Sequence, residues 1–339
     1  MKAILLIQLG TPDKPRPKEV GRYLREFLMD PGVISLPFLL RFILVNFIIV
    51  PFRSRSSASK YAEIWTERGS PLRFHSEDLC LKLQKQFEGK ARVALGMRYG
   101  SPSIDQALDQ LKAEESDEIL VAPLFPQYAS ATSESCFLEA EKIFRRRNLK
   151  AKLKRLPAFY ADSDYISSWK ENVDLKKLAE ADHILFSYHG LPVSQIKAAD
   201  KSGAYCLKQN DCCLKASPHN QNCYRHHCVI NTKLLAQALN LSPEKYSLAF
   251  QSRLGTAEWL QPYAQLEMEK LAKSGVKKLV VFCPSFVADC LETLEEIGLR
   301  LAHDFKSLGG EELSLVLSLN ASDLWAVSFA RILQKSLNL

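Results

Sequence analysis

The sequence predicts two similar, doubly wound, Rossmann-like α/β domains, and three observations carry that prediction. First, short and nearly continuous apolar runs recur. They are "KAILLIQLGTP", "RVALGMRYG" and "EILVAPLFPQY" in the first half, and "DHILFSYHGLP", "YSLAFQSRLG" and "KLVVFCPSFVADC" in the second. Runs of this kind are strands of parallel sheets covered by helices on both faces. Second, each run leads into a loop and then an amphipathic stretch, the rhythm of strand–helix–strand crossovers. Third, the halves answer one another. Gly10-x-Pro12 matches Gly190-x-Pro192, Arg98-Tyr99-Gly100 matches Arg253-Leu254-Gly255, and Pro123-x-Phe125 matches Pro284-x-Phe286. The expected organisation is one domain over residues 1–150, with an apolar segment near 30–55, and a second over 151–339, with a cysteine-rich insertion near 200–230.

Composition agrees. A chain of 339 residues has room for about two domains. Its 47% hydrophobic and 24% charged content is that of a globular protein without a disordered class. The net charge of +7 is spread along the chain, which suits anionic ligands or an anionic membrane surface. No basic helix or aromatic-basic array argues for nucleic acid. The N-terminal "MKAILLIQLGTP" is too short an apolar run for a signal peptide and lacks a small-residue cleavage site, so it reads as the first buried strand. Without an export signal the expected compartment is a reducing cytosol, where structural disulfides are rare.

Residues 34–52, "ISLPFLLRFILVNFIIVPF", are about as long as a membrane span, but Pro37, Arg41, Asn46 and Pro51 interrupt them. A central arginine in a span costs about 2.5–3.5 kcal/mol. Two readings stand: a buried core helix, or, favoured here, a partly exposed apolar lip touching a membrane surface or a flat apolar ligand.

Sheets of this class bind ligands beyond the carboxyl ends of their strands. The active cleft is therefore expected between the halves, lined by Leu9, Tyr128, His189, Arg253 and residues 286–296. In "SFVADCLETLEEI", a helix from about Ala288 puts Asp289, Glu292 and Glu296 on one face, with Glu295 beside it. Most acidic runs are solvated faces. Here Phe286, Val287, Leu291 and Leu294 flank the run and set it against a core. A row of carboxylates can guide a hard divalent cation and accept protons. His189 directly follows a buried strand, in a turn shaped by Gly190 and Pro192. A lone histidine is more often structural, but a neutral imidazole near a carboxylate such as Glu292 is a proton acceptor suited to neutral pH.

Five of the nine cysteines, Cys206, Cys212, Cys213, Cys223 and Cys228, crowd into residues 205–228. A disulfide knot, a zinc site and an iron–sulfur cluster are the candidates. Paired Cys-x₂₋₄-Cys spacing is missing, although Cys223 and Cys228 come close to it, and His219, His226 and His227 are further possible ligands. Spacing favours a bound metal without naming it.

"SYHGLP", "FQSRLGTAEWLQPY" and "CPSFVADCLETLEEI", with "IQLGTP" and "LFPQYASATS", resemble the ferrochelatases in order along nearly the whole chain. These enzymes insert Fe²⁺ into a porphyrin as the last step of haem synthesis. The resemblance implies a chelatase-like fold with parallel four-stranded sheets, protoporphyrin IX and Fe²⁺ as substrates, and protohaem as product. It implies that His189 and Glu292 handle the pyrrole protons and the incoming iron, with Asp289 and Glu296 along the same path. By the same resemblance Tyr128, Ser130, Arg98, Trp259 and Phe286 line the porphyrin pocket, and Arg98 and Arg253 have the chemistry to pair with propionates. Leu9 matches a position facing the macrocycle and, being apolar, offers no axial ligand. Cys290 stands where some members have histidine. Residues 34–52 match a lip at the pocket mouth, which implies a cytoplasmic protein resting on the inner membrane. Many ferrochelatases carry a [2Fe–2S] cluster, and in some bacterial ones an internal insertion holds it at this place. The implied ligands are Cys206, Cys213, Cys223 and Cys228, with Cys212 as alternative to Cys213 and zinc as alternative to the cluster. The rival functions are a tetrapyrrole-binding or iron-sensing protein without turnover, and a chelatase for another metal such as cobalt or for coproporphyrin III. His189 and the acidic row argue against a pure binder, and the greasy lip favours protoporphyrin.

Overall fold

The structure is a computed structural model that describes residues 1–209, 211–253, 255 and 257–338. Eight strands run in chain order: β1 (Lys2–Gln8), β2 (Ala91–Met97), β3 (Glu118–Pro123), β4 (Lys152–Arg155), β5 (His183–His189), β6 (Tyr246–Gln251), β7 (Lys278–Phe282) and β8 (Glu312–Leu315). They form two four-stranded sheets of order β2-β1-β3-β4 and β6-β5-β7-β8, and the strand pairings within them are parallel. The predicted class is therefore the observed one. Its cause is visible in β1, where Ala3, Ile4, Leu5, Leu6 and Ile7 are all sealed from solvent. Side chains alternate across a strand, so a run buried at every position needs cover on both faces.

The chain divides into two compact units. The first takes Met1–Phe125, Ser130–Pro157 and the C-terminal segment from Asn320; the second takes Pro126–Ala129 and Ala158–Leu319. The boundary expected near 150 thus falls at 157, and the last segment belongs with the first unit, not with the second as expected. Helix Asp323–Leu337 buries Trp325, Phe329 and Leu333. Lys82 Nζ donates to the Ala321 carbonyl at 2.5 Å and pairs with Asp323 at 2.6 Å, while Lys2 Nζ donates to the Leu337 carbonyl at 2.5 Å. An amphipathic helix packs where a complementary apolar face lies open, whatever its distance along the chain.

The internal repeat extends to backbone detail. A Cβ added to Gly10, whose φ is +114°, would lie 1.8 Å from the Tyr99 carbonyl oxygen; one added to Gly190 would lie 2.8 Å from that of Gln251. Each glycine lets the chain leave the first strand of its sheet against the backbone that follows its neighbour. Beyond β2 the chain folds back so that Met97 N–H bonds the Pro102 carbonyl at 2.6 Å; beyond β6, Phe250 N–H bonds Pro262 at 2.8 Å. A π-helix opens the crossover after the third strand of each sheet, Ser130–Glu134 in the first unit and Glu292–Leu301 in the second. The helix expected from Ala288 is corrected accordingly. It starts later and is wound more widely than an α-helix, so Asp289 precedes it and does not share its face. Wide turns of this kind recur at functional sites.

In the first unit, residues 38–64 run through helix Phe38–Ile43, a π-helix Leu44–Ile49 and helix Val50–Ile64. Phe38, Leu39, Leu40, Phe47, Ile48 and Phe52 are exposed, while Arg41 is buried. Its Nη1 donates to the carbonyls of Ile34 at 3.1 Å and Leu36 at 2.8 Å. Asn46 Nδ2 donates to the Phe42 carbonyl and its Oδ1 accepts from Arg25. Arg41 turns inward while much of the apolar run faces out, so the segment is a partly exposed apolar lip and not a buried core helix. Among the described residues no helix is long and apolar enough to cross a membrane.

Candidate active site

In a sheet ordered like the second unit's, the winding reverses between the first and third strands, β5 and β7, and ligands lie beyond their carboxyl ends. His189 ends β5 and Phe286 follows β7, and their rings meet at 6.2 Å and 63°. His189 Nδ1 lies 2.6 Å from the Gly190 carbonyl oxygen. A carbonyl only accepts, so Nδ1 carries the proton and Nε2 is the basic nitrogen of the neutral ring. The turn is locked from below: Gly190 N–H donates to the Gln251 carbonyl at 2.6 Å. Trp259 bridges Pro192, and its ring edge is 3.4 Å from where a Cβ on Gly190 would stand.

Gln251 is the hub of this end of the sheet. It pairs in register with His189, accepts from the Ser187 hydroxyl at 2.7 Å, and donates its side-chain amide to the Glu292 carbonyl at 2.8 Å. Glu292 begins the π-helix and is half-buried. Glu296 accepts from Ser252 N–H at 3.1 Å and from the Ser252 hydroxyl, and it pairs with Arg300 at 3.4 Å. Glu295 is buried beside Arg300 Nε at 3.3 Å. Asp289 is sealed; its Oδ1 accepts from Thr293 Oγ1 and from Ser318 N–H, each at 3.0 Å. Its contacts are those of a cap holding the start of the helix. Cys290 is buried and its thiol hydrogen-bonds with the Glu292 side chain; burial, reinforced by that carboxylate, pushes it well above the ordinary thiol range.

Of the remaining expected residues, Arg253 is exposed with its guanidinium 4.7 Å over the Tyr263 ring; Leu254 of the same motif lies outside the described residues. Tyr128, in the second unit, is half-buried, and its backbone N–H donates to His227 Nδ1 at 3.1 Å. In the first unit, Leu9 is half-buried at the end of β1, and the exposed Ser130 begins the π-helix. Arg98 is already engaged. Its Nη2 lies 2.5 Å from Asp30, its Nε donates to Ser135 Oγ at 2.8 Å, and its guanidinium stacks on Tyr99. Burial alone would raise the Asp30 carboxyl; the Ser135 hydroxyl, Gly32 N–H, Tyr99 hydroxyl and Arg98 charge outweigh it and hold the group below the usual carboxylate range.

All nine cysteines are free thiols, and the five of the loop are buried. The disulfide knot is thereby replaced by a chain of sulfur contacts. Cys223 hydrogen-bonds with Cys206 and with Cys213, and the Cys212 and Cys213 sulfurs lie 3.7 Å apart. Arg225 Nη1 donates to Cys213 Sγ at 3.1 Å and Leu207 N–H to Cys212 Sγ at 3.4 Å. Among the described residues no three His, Cys, Asp or Glu side chains converge closely enough to hold a metal ion.

A model of the Ferrochelatase family matches residues 1–337. The chain belongs to the ferrochelatase family. It is 43% identical over 334 residues to the ferrochelatase of Bdellovibrio bacteriovorus, covering 98% of each chain. It is 44% identical over 338 residues to that of Coxiella burnetii, covering 99% of this chain and 94% of the relative. Among solved structures it is similar to SirB from Bacillus subtilis with Fe³⁺, at a TM-score of 0.56 and 9% identity over 99% of this chain and 95% of that one, a likeness of fold. Sequence reasoning passed over Gln251, Ser252 and Tyr224, which bond to Glu292, Glu296 and His189 in the second unit, and over Asp30, which pairs with Arg98 in the first; it named His227 only as a possible metal ligand. Gln251 and Ser252 sit inside the "FQSRLG" motif, two places and one place before the arginine that drew attention.

Proposed function

We propose that in this ferrochelatase His189 and Glu292 share the proton and metal handling of the reaction. Ferrochelation joins Fe²⁺ to protoporphyrin, and two pyrrole N–H protons leave for each iron that enters. The observation that carries the assignment is the His189 ring itself: with Nδ1 bound to the Gly190 carbonyl, Nε2 is the one basic nitrogen, at the carboxyl end of β5. It takes a pyrrole proton. Glu292, fixed through its carbonyl by Gln251, accepts the second and offers oxygen to the arriving cation. Glu296, held by Ser252 and Arg300, extends the acidic lead-in by one turn. Trp259, Phe286 and Tyr128 are the second unit's proposed porphyrin contacts, giving flat apolar surface to a flat ring. Arg253, the exposed guanidinium, is the proposed propionate partner. The test is anaerobic mixing of protein, Fe²⁺ and protoporphyrin, followed through the Soret shift to haem. His189→Ala is expected to slow turnover about 10²–10⁴-fold; turnover at the parent rate overturns the assignment.

The cysteine-rich loop is proposed to hold a [2Fe–2S] cluster through Cys206, Cys213, Cys223 and Cys228. What supports the reading is that the four thiols are buried and free of disulfides, that Cys223 hydrogen-bonds with Cys206 and with Cys213, and that an N–H of Arg225 points at the Cys213 sulfur. Such a group supplies electron transfer when bound, which iron insertion does not require, so the loop's own part is to pin residues 205–228 beside His189. The lip is proposed to rest on an anionic bilayer, with its apolar side chains in the interface and the exposed Arg53 and Arg55 at the headgroups.

A further inference from the structure

Helix Tyr224–Ala238 grows directly out of the cysteine-rich loop, with Cys223 at its N-cap and Cys228 in its second turn. Two other side chains on the same turns reach residues of the proposed site. The Tyr224 hydroxyl donates to the His189 carbonyl at 2.8 Å, lies 2.9 Å from Ser285 Oγ one residue before Phe286, and hydrogen-bonds with the Cys228 thiol. The His227 ring accepts from the Tyr128 N–H at Nδ1 and, 2.7 Å from the Gln221 carbonyl, donates to it from Nε2. It also stacks on Tyr160 with centroids 4.0 Å apart and planes 16° apart. Both side chains are buried and every polar atom on them is committed.

We infer that Tyr224 and His227 are positioning residues through which the cysteine-rich loop sets where His189 and Tyr128 stand. The physical reason is that the carbonyl after the catalytic ring and the amide of a porphyrin contact each depend on one side chain of a helix whose start is the loop. Loss of the Tyr224 hydroxyl removes a donor from the His189 carbonyl and loss of the His227 ring removes an acceptor from the Tyr128 N–H, and a weakened buried polar contact loosens the backbone that carries it. The two arms are separable. Tyr224 acts on the proton acceptor and on the segment leading to Phe286; His227 acts on the porphyrin contact alone. This inference rests on the reading of His189 as proton acceptor and Tyr128 as porphyrin contact.

The experiment compares the full-length protein with Tyr224→Phe, His227→Phe and His227→Asn, the last keeping an acceptor near the Nδ1 position. Hydrogen exchange is read on peptides covering residues 126–130 and 187–192. Protoporphyrin affinity is read by fluorescence quenching, and kcat and KM are read with Fe²⁺. Tyr224→Phe is expected to speed exchange in 187–192 and lower kcat about fivefold to tenfold, with porphyrin KM within about twofold. His227→Phe is expected to speed exchange in 126–130 and weaken porphyrin binding about fivefold, with kcat within about twofold; His227→Asn is expected to recover most of both. Unchanged exchange in both segments, or kcat and KM moving in equal proportion in both variants with a general fall in Tm, overturns the inference. His189→Ala separates the two layers. Normal turnover in that variant, with exchange still responding to Tyr224→Phe, removes the catalytic reading and leaves the coupling standing.

Discussion

The side-chain amide of Gln251 donates to the backbone carbonyl of Glu292 across 2.8 Å. Gln251 is also the residue opposite His189 in the sheet, and its amide oxygen holds the Ser187 hydroxyl. One side chain therefore fixes the start of the acidic helix relative to the strand that ends in the imidazole.

Replacing it is expected to affect both stability and turnover. Gln251→Leu leaves the buried Ser187 hydroxyl without its acceptor and the Glu292 carbonyl without its donor. Each such loss costs about 1–3 kcal/mol. Urea unfolding should show a loss in that range, and kcat should fall about tenfold because Glu292 is no longer held. A variant that is destabilised but turns over at the parent rate would separate Gln251 from the chemistry.

The acid limb of stability should depend on Asp30. Its carboxyl lies below the usual range, so the folded state holds fewer protons than the unfolded state around pH 4. The stabilisation is present above the ordinary carboxylate pKa and is lost as pH falls through the lower folded value. Asp30→Asn should lower the urea midpoint at neutral pH, because Arg98 loses its partner, and flatten the midpoint's dependence on pH below about 5. An unaltered acid limb would assign it to other carboxylates.

Membrane contact is expected to follow exposure along the lip. Phe47 and Phe52 are 65% and 79% exposed, so changing both to serine should leave Tm within a few degrees. The same change should reduce flotation with anionic vesicles several-fold. Arg41→Met should do the reverse, costing stability through the Ile34 and Leu36 carbonyls it supports. Equal flotation of parent and double variant would remove the bilayer from the account.

Protein purified without oxygen should be brown, with visible absorption bleached by dithionite. Cys213→Ser should lose the colour, since Cys213 touches Cys212 and Cys223 and receives Arg225, whereas Cys212→Ser should keep it. Colourless protein carrying one zinc per chain would replace iron–sulfur by zinc.

What could be read in the sequence was what local pattern controls. β1 announces itself because five consecutive buried apolar residues have no place except a covered parallel sheet, and β5 repeats the run with Ser187 as its one polar member. Gly10 and Gly190 could be matched because both stand in Gly-x-Pro turns, and each lies close to a backbone carbonyl near the end of the neighbouring strand in its own unit. The start of the Glu292 helix could not, since a π-turn has no composition of its own, and Asp289 was counted on a face it does not share. Gln251, Tyr224 and His227 act through bonds to residues 35 to 99 positions away, a pairing that no spacing rule records. Arg41 and Asn46 looked like faults in an apolar run; the fold buries Arg41 against the Ile34 and Leu36 carbonyls and ties Asn46 to the Phe42 carbonyl.

Helix Asp323–Leu337 returns to the unit built by the first 157 residues and covers it with Trp325, Phe329 and Leu333. Cutting the chain at its middle would therefore not release two self-sufficient halves. The leading fragment would emerge with an uncovered oily flank and the trailing one with a stray helix seeking it. A dissection of this enzyme must keep the last helix with the opening unit, and Pro126–Ala129 with Ala158–Leu319, so no single cut separates the two.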